Sequence, residues 1–233
     1  MRTGLAAMAA TVAVALSAAP QAVAAPIAPA PAIAPGIGVG IYDAANQVSG
    51  RCTLGFLATG ADGAQYAFTA GHCATGGDVV MVYKTAGNYL RVGQFANSVH
   101  TAAGRRDIAL VRLEAGTPQD TRVLSRRPVE GVIGQPAAGD TLCFYGDVSG
   151  LRCGAVAPSY EPDNMVVFRA LSQHGDSGAP VYRIESDGSA TAVGILGGHD
   201  DGEGTSYATL LEPYLQQWNL TLATTPSPAA AAR

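Results

Sequence analysis

Short apolar runs separated by turn residues constrain this 233-residue chain more than any other feature of its sequence. The runs are about six residues long and rich in β-branched residues, and turn-forming pairs such as Asp62-Gly63, Gly76-Gly77 and Gly87-Asn88 stand between them. This pattern predicts an all-β chain of antiparallel strands and excludes helix bundles and coiled coils. The predicted strands are residues 53–58, 65–69, 79–84, 89–95, 108–113, 141–145, 152–157, 165–169, 179–184 and 191–196.

The strands fall into two series, which predict two β-lobes joined by residues 116–128, a segment that contains Pro118 and Pro128. We expect the N-terminal lobe to span residues 37–120 and the C-terminal lobe to span residues 121–222. Only residues 209–218 predict a helix, because Leu, Tyr and Trp recur there at helical spacing. Its expected role is to pack one face on the second lobe.

The two ends of the chain differ from the middle. Residues 1–24 carry Arg2, then an apolar run, then Ala22-Val23-Ala24, an order typical of a secretory signal peptide. A retained membrane anchor is the alternative, but the run is short for a hydrocarbon core of about 30 Å. Residues 25–36 predict a Pro/Ala-rich spacer, and residues 223–233 a disordered tail. We therefore expect a secreted protein, extracellular or in the cell envelope, with no membrane span after signal removal.

Four cysteines are an even number in a chain predicted to reach an oxidising compartment. Two disulfides are expected, and of the three possible pairings Cys52 with Cys73 and Cys143 with Cys153 is the one that joins local segments. Four buried free thiols are the alternative. Neither a C-x-x-C nor an H-E-x-x-H spacing occurs in the sequence, so we expect no metal and no cofactor.

Charge patterning excludes nucleic acid as a partner. The formal net charge is -4, and the 14 basic residues form no run longer than a pair. The basic footprint that a phosphate backbone requires is missing. We expect a monomer whose partner is a protein or peptide substrate.

Three segments place a polar side chain among small or apolar neighbours. They are Thr-Ala-Gly-His-Cys at 69–73, Asp-Ile-Ala-Leu at 107–110 and Gly-Asp-Ser-Gly-Ala-Pro at 175–180. Hydrolysis of a peptide bond by a serine needs a base within hydrogen-bond reach, a group that fixes the tautomer of that base, and donors for the developing oxyanion. The three segments contain all of these parts.

Each part has a candidate residue. His72 is the expected general base for Ser177, and Asp107 is expected to accept a hydrogen bond from the other ring nitrogen of His72. Gly175 permits a turn that directs its own N–H and that of Ser177 at the oxyanion. Taken singly, these residues also fit a partly buried histidine, a turn aspartate and a tight turn. The interpretation therefore depends on the three segments meeting in space.

Together, in the order His, Asp, Ser, the segments resemble the signature motifs of the chymotrypsin-like serine proteases, and the short chain is most similar to their secreted bacterial branch. The resemblance spans about residues 40–220. It implies two packed six-stranded antiparallel β-barrels with the active site between them, a C-terminal helix, a Cys52–Cys73 bridge beside the histidine and a Cys143–Cys153 hairpin bridge. An α/β-hydrolase is disfavoured, because its serine would lie in G-x-S-x-G and precede its histidine.

The resemblance also implies a primary specificity pocket. Its base is expected at Leu171, six residues before the nucleophile. Its walls are expected at Ser172, Gln173 and His174 on one side and Gly197, Gly198 and His199 on the other. A base that is not acidic gives no support for cleavage after Lys or Arg. The acidic run at 200–203 either rims the pocket and attracts basic substrates or is simply solvated.

Two departures from the family pattern bear on activity. Gly197 stands where the family usually has a serine that supports the triad carboxylate, so looser surroundings are expected around Asp107. Asp176 lacks both partners that the family uses: the chain has no Ile-Val-Gly-Gly-like sequence, and Phe144 stands where bacterial relatives often carry an arginine. A buried carboxylate needs a partner, and the sequence does not name one.

The leading hypothesis is a secreted serine endopeptidase that forms an acyl-enzyme on Ser177. The alternative is a catalytically weak or inactive trypsin-fold protein that binds a cell-envelope or host partner.

Overall fold

The described part of the chain in this computed structural model is built almost entirely from β-strands. It comprises residues 32–225 except 44, 46, 76–78, 84–88, 102–105 and 159–163, with the backbone alone for 79–83 and 89–90. The predicted signal peptide, residues 25–31 of the predicted spacer, the turn pairs at 76–77 and 87–88, and residues 226–233 of the predicted tail lie outside the described residues.

The strands are β1 (Gly38–Tyr42), β2 (Val48–Thr53), β3 (Leu57–Gly60), β4 (Gln65–Thr69), β5 (Val79–Tyr83), β6 (Tyr89–His100), β7 (Asp107–Leu113), β8 (Val129–Val132), β9 (Thr141–Gly146), β10 (Gly150–Ala155), β11 (Met165–Phe168), β12 (Pro180–Ile184), β13 (Ala190–Asp200), β14 (Thr205–Leu210) and β15 (Leu220–Leu222). A 3-10 turn spans Gly71–Cys73, and one α-helix, α1, spans Glu212–Gln217.

The strands form two sheets. The first has eight antiparallel strands in the order β15-β3-β4-β7-β6-β5-β1-β2. The second follows the order β10-β9-β12-β13-β14-β11, and β8 joins it as a parallel partner of β13. The prediction of an all-β chain with a short C-terminal helix is confirmed. The sheets have eight and seven strands where six and six were predicted; β15, at the edge beside β3, and β8, beside β13, are among the additional strands.

The C-terminal segment departs from the predicted helix of residues 209–218. Residues 205–210 form β14, and α1 begins only at Glu212. Thr209 and Leu210 belong to the strand because β14 is paired on both edges, with β11 and with β13, and these two ladders outweigh the helical spacing of the apolar residues. After α1 the chain returns to the first sheet as β15, so residues 220–222 do not lie with the second series of strands.

One predicted strand is divided in two. Residues 53–58 cover the end of β2 and the start of β3, and all six are buried. A run that is buried on every face has no alternation of apolar and polar residues, so the sequence pattern does not reveal the break. Strands β1, β8, β14 and β15 were not predicted.

Packed residues reach beyond both predicted boundaries of the fold. Ile33 is 0% exposed; its N–H donates to the Pro118 carbonyl and its carbonyl accepts from the Asp120 N–H. At the other end the Thr225 N–H donates to the Val129 carbonyl. The predictions of a spacer and a disordered tail are therefore wrong for Ile33 and Thr225. Backbone N–H and carbonyl groups form hydrogen bonds with a folded domain whatever the side chains of a low-complexity segment are.

A shared hydrophobic core joins the two sheets. Phe56, Phe68 and Ile108 of the first sheet and its connections pack in one cluster with Tyr182 and Ile195 of the second, and all five are at most 2% exposed. Burial of a large apolar side chain contributes about 1.5–3 kcal/mol, so this cluster fixes the ends of β4 and β7 against the second sheet. In the described part of the chain, no helix is long and apolar enough to cross a bilayer.

Both predicted disulfides are present. Cys52 is bonded to Cys73, and Cys143 is bonded to Cys153. The second pair lies directly across the β9–β10 ladder, where the two residues are opposite each other.

Candidate active site

His72 lies on the 3-10 turn that follows β4. The Cys52–Cys73 disulfide ties this turn to β2. Gly71 is required beside it, because a Cβ atom there would lie 2.1 Å from the carbonyl oxygen of Val99. The His72 side chain is 36% exposed and lines a surface cleft, so it is held by its backbone and open to a ligand.

Asp107, the first residue of β7, is 1% exposed and faces His72. Its Oδ2 lies 2.5 Å from Nδ1 of His72, and its Oδ1 accepts a hydrogen bond from the His72 backbone N–H at 2.7 Å. The Asp107 N–H donates to Oγ1 of Thr209 at 2.9 Å. A carboxylate can only accept, so this contact assigns a proton to Nδ1 of His72 and leaves the Nε2 lone pair available.

Tyr207 occupies the space beside Asp107 that the family pattern gives to a serine. A Cβ on Gly197 would lie 2.6 Å from Cε2 of Tyr207 and 3.4 Å from Cβ of Asp107. Burial, together with the negative charge of Asp107, raises the pKa of the Tyr207 phenol above its ordinary value, so the ring stays neutral. The expected looseness around Asp107 is therefore absent here, because the tyrosine ring fills the space.

Ser177 lies in a turn between two glycines with positive φ, 101° at Gly175 and 91° at Gly178. Thr53, at the end of β2, connects this turn to the first sheet. Its N–H donates to the Ser177 carbonyl at 2.7 Å, and its Oγ1 donates to the Gly175 carbonyl at 2.8 Å. Since Thr53 follows Cys52, two consecutive residues hold the histidine turn and the serine turn. Sequence reasoning missed Thr53, because nothing in the sequence marks a contact across about 120 residues.

Asp176 is fully buried, and its partners are backbone N–H groups. Oδ1 accepts from Val148 and Ser149 and Oδ2 accepts from Gln173, each at 2.9 Å. A Cβ on Gly146 would lie 2.2 Å from Oδ1, so only glycine fits against the carboxylate. Hydrogen bonds to an ionised acceptor are strong, and three of them satisfy a carboxylate for which the sequence named no partner.

The N–H groups of Gly175 and Ser177 are available to a ligand. Within the described part of the chain, neither donates to a protein acceptor. Two N–H groups that are close in the chain and have no protein acceptor are suited to donate to an anionic oxygen. The side chains of Ser177 and His72 line the same cleft, and no hydrogen bond joins these two described residues. Such bonds are often long until substrate binds.

The cleft has a volume of about 370 Å³ and contains most of the predicted pocket. The prediction that Leu171 forms the base of the pocket is wrong: the residue is 42% exposed and does not line the cleft. Ser172 takes its place, because the Ser172 N–H donates to Oγ of Ser206 and the residue is 2% exposed. The other predicted pocket residues that line the cleft are Gln173, His174, Gly197, Gly198 and His199.

His100 is a lining residue that sequence reasoning missed. It ends β6 and pairs with Asp107 across the β6–β7 ladder, and its ring centroid lies 5.9 Å from that of His72. The predicted strand stopped at residue 95, five residues short of it. The pairing shifts by one residue between Phe95 and Asn97, so extension of the hairpin register of the predicted strand would have placed residue 99, and not His100, opposite Asp107.

The acidic run at 200–203 forms a turn of its own. Oδ1 of Asp200 accepts from the N–H groups of Gly202 and Glu203, and the Asp201 side chain is 82% exposed. None of these residues lines the cleft. The geometry favours the solvated interpretation of this run.

Comparison with known proteins finds bacterial serine proteases. No family model matches the chain. It is 34% identical over 154 residues to the uncharacterized protein Rv1815 of Mycobacterium tuberculosis, covering 62% of this chain and 66% of that one. It is 29% identical over 174 residues to Serine protease 2 of Streptomyces fradiae, covering 69% of this chain and 92% of that one. Among solved structures it is similar to Nocardiopsis protease, with a TM-score of 0.65, 26% identity, and coverage of 83% of this chain and 100% of that one.

Proposed function

We propose that this chain, which is similar to the chymotrypsin-like serine proteases of bacteria, is a secreted endopeptidase that hydrolyses peptide bonds through an acyl-enzyme on Ser177. The observation that carries the proposal is the short contact between the buried Asp107 carboxylate and Nδ1 of His72, in a cleft that Ser177 also lines. A buried carboxylate that fixes one imidazole nitrogen leaves the other as a base. The two disulfides support a location outside the reducing cytosol.

The chemistry proceeds by proton transfers through His72. Nε2 takes the proton of the Ser177 hydroxyl as Oγ bonds to the substrate carbonyl carbon, and the carbonyl oxygen becomes an oxyanion. The N–H groups of Gly175 and Ser177 donate to that oxygen. His72 then gives the proton to the leaving amine as the C–N bond breaks. Water attacks the resulting ester by the same route and regenerates Ser177.

Asp107 has a positioning role in this sequence. It accepts from both the ring and the backbone N–H of His72, so it fixes the orientation of the imidazole as well as its tautomer. Replacement of such a carboxylate by an amide lowers turnover about ten-thousand-fold. We expect that loss for Asp107→Asn, with the disulfides and the fold retained.

The alternative function is that of a catalytically weak or inactive trypsin-fold protein that binds a partner. It would be favoured if Asp107 and Asp176 lacked supporting contacts. Asp176 has three backbone donors, and the backbone of Asp107 is held by Thr209 while Tyr207 packs beside it. The enzyme is therefore favoured.

A fluorophosphonate probe on the oxidised, purified protein tests the proposal. We expect covalent labelling that disappears in Ser177→Ala and His72→Ala. Ser149→Ala is the matched control, since this serine is buried and lies outside the cleft. Absence of labelling in wild-type protein with both disulfides formed would support the silent binder instead.

A further inference from the structure

Ser172 lines the specificity side of the cleft, and its buried hydroxyl contacts that of a second buried serine, Ser206. Ser172 and Ser206 are 2% and 1% exposed. Oγ of Ser206 accepts from the Ser172 N–H and donates to Oγ of Ser172, both at 3.0 Å. The remaining contact of Ser172 Oγ is Nδ1 of His199 at 3.4 Å, which is long for a hydrogen bond. The Ser172 hydroxyl proton is therefore poorly satisfied within the protein.

Two imidazoles line the same part of the cleft. The rings of His174 and His199 lie 5.8 Å apart at an angle of 71°. Within the described residues, His174 has no hydrogen-bond partner and is exposed. The cleft thus presents the imidazole of His174 without a protein partner, and a hydroxyl and a second imidazole, at Ser172 and His199, whose mutual contact is long at 3.4 Å.

A carboxylate is the ligand group that this set matches. It only accepts, through two oxygens with about four lone-pair sites, whereas a hydroxyl donates and a protonated imidazole donates through both nitrogens. A bound carboxylate also favours the protonated imidazole. An alkyl or aromatic side chain would offer no acceptor to the Ser172 hydroxyl, which would keep only its long contact with His199.

A basic side chain is poorly matched. An ammonium or guanidinium group only donates and therefore needs an acceptor. Among the described residues that line the cleft, Asp107 is the one carboxylate, and both of its oxygens already accept from His72. Asp201 does not line the cleft, and its side chain is 82% exposed. It lies 3.7 Å from Nε2 of His199, whereas Ser172 contacts the other nitrogen, Nδ1.

We propose that this enzyme selects substrates with Glu or Asp as the residue whose carbonyl is attacked, the P1 residue. Ser172 and His199 bind the carboxylate at the end of the pocket, and His174 donates to it from the wall. The inference rests on the proposed proteolytic function and assigns its substrate class.

Four peptide substrates that differ only at P1, with Glu, Gln, Leu or Lys, test the proposal. Glu and Gln have the same shape, so their ratio isolates the charge. We expect kcat/KM for Glu to exceed that for Gln by about tenfold or more, because a site built for a polar group discriminates strongly against its analogue. Peptide aldehydes with Glu or Gln at P1 should show the same order when they compete with the fluorophosphonate probe.

Two variants assign the preference to residues. Ser172→Ala and His199→Leu should each reduce the Glu-to-Gln ratio about tenfold, because each removes one group that binds the carboxylate. His100→Gln is the matched control: it alters a histidine of the same cleft near His72, and it should leave the ratio unchanged. The aldehyde competition uses wild-type protein, so it decides the question even where a variant does not fold.

The outcomes separate the two proposals. Labelling by the probe together with equal cleavage after Glu and Gln would overturn the acidic preference and leave the protease assignment standing. Preference for Lys would also overturn it and would assign recognition to the acidic turn at 200–203. Absence of labelling and cleavage would overturn both proposals.

Discussion

Replacement of Asp176 by asparagine tests whether backbone donors alone hold the catalytic turn. In the native protein the two carboxylate oxygens accept three N–H groups, from Val148, Ser149 and Gln173. Asparagine keeps one acceptor oxygen and places an NH2 group where the other was. The remaining N–H then faces a donor instead of an acceptor.

The size of the effect follows from those contacts. A buried N–H without an acceptor costs about 1–3 kcal/mol, and a hydrogen bond that changes from a charged to a neutral acceptor loses about 1 kcal/mol. The neutral amide is less costly to bury, which offsets part of the loss. We expect Asp176→Asn to reduce the free energy of unfolding by about 2–4 kcal/mol, a large part of a typical total of about 5–15 kcal/mol.

The same change should impair catalysis, because Asp176 lies between the two residues that supply the oxyanion donors. Misplacement of one such donor lowers turnover about a hundred- to a thousand-fold. Urea unfolding gives the stability, and kcat normalised to the fraction of probe-reactive enzyme gives the activity. Asp140→Asn is the control, since this half-buried carboxylate accepts one backbone N–H, from Ala137, in a surface turn. A loss below about 0.5 kcal/mol for Asp176→Asn, with kcat within twofold of wild type, would refute the reasoning.

Three further predictions concern stability and the site. Thr53→Val keeps the shape of the side chain but removes two hydrogen bonds of Oγ1, one donated to the Gly175 carbonyl and one accepted from the Asp147 N–H. We expect kcat to fall and the free energy of unfolding in urea to drop by about 1–3 kcal/mol, with a native near-UV circular dichroism spectrum; an unchanged kcat would contradict a positioning role. Gly178→Ala should reduce the free energy of unfolding in urea by about 1–3 kcal/mol more than Gly63→Ala does. Both glycines have positive φ, but only a Cβ at Gly178 would meet neighbouring atoms, the nearest at 2.2 Å. Equal losses of unfolding free energy in the two variants would argue against the close approach. A side-chain hydrogen bond from Arg122 lowers the pKa of Asp120 from 3.8 to about 2. The ionised Asp120 carboxylate therefore stabilises the folded protein at a pH above its pKa in the unfolded chain, and this stabilisation is lost as the pH falls towards 2. Asp120→Asn should flatten the pH dependence of the unfolding free energy in that window, and an unchanged slope would exclude this pair as a contributor.

Much of the fold was predictable because its determinants are local. Alternating apolar runs gave the positions of β4, β5, β7, β9 and β12 to within about two residues. The predicted bounds of an element were wrong where pairing with distant strands competed with the spacing of apolar residues along the segment. Thr209 and Leu210 have helical spacing with later residues, yet Thr209 pairs with strands on both sides and Leu210 pairs with β13. The backbone hydrogen bonds of two neighbouring strands are not visible in the periodicity of one segment.

The site divides in the same way. The three motifs named His72, Asp107 and Ser177, and the structure brings the first two into contact and all three to one cleft. Counting residues placed the pocket base at Leu171, but the orientation of the loop turns Ser172 inward. A count gives position along the chain, whereas the direction of a side chain depends on what its backbone bonds to.

The sequence by itself determined the residue types that can perform acyl transfer, the strand-rich character of the chain and the local pairing of the cysteines, since each is a matter of composition or short spacing. Only the tertiary structure decided the partners of Asp176, the role of Thr53 and the polar end of the pocket. These depend on backbone N–H and carbonyl groups, which every residue carries, and on contacts between segments distant in the chain, so the amino-acid sequence leaves no mark of them until the two sheets are packed together.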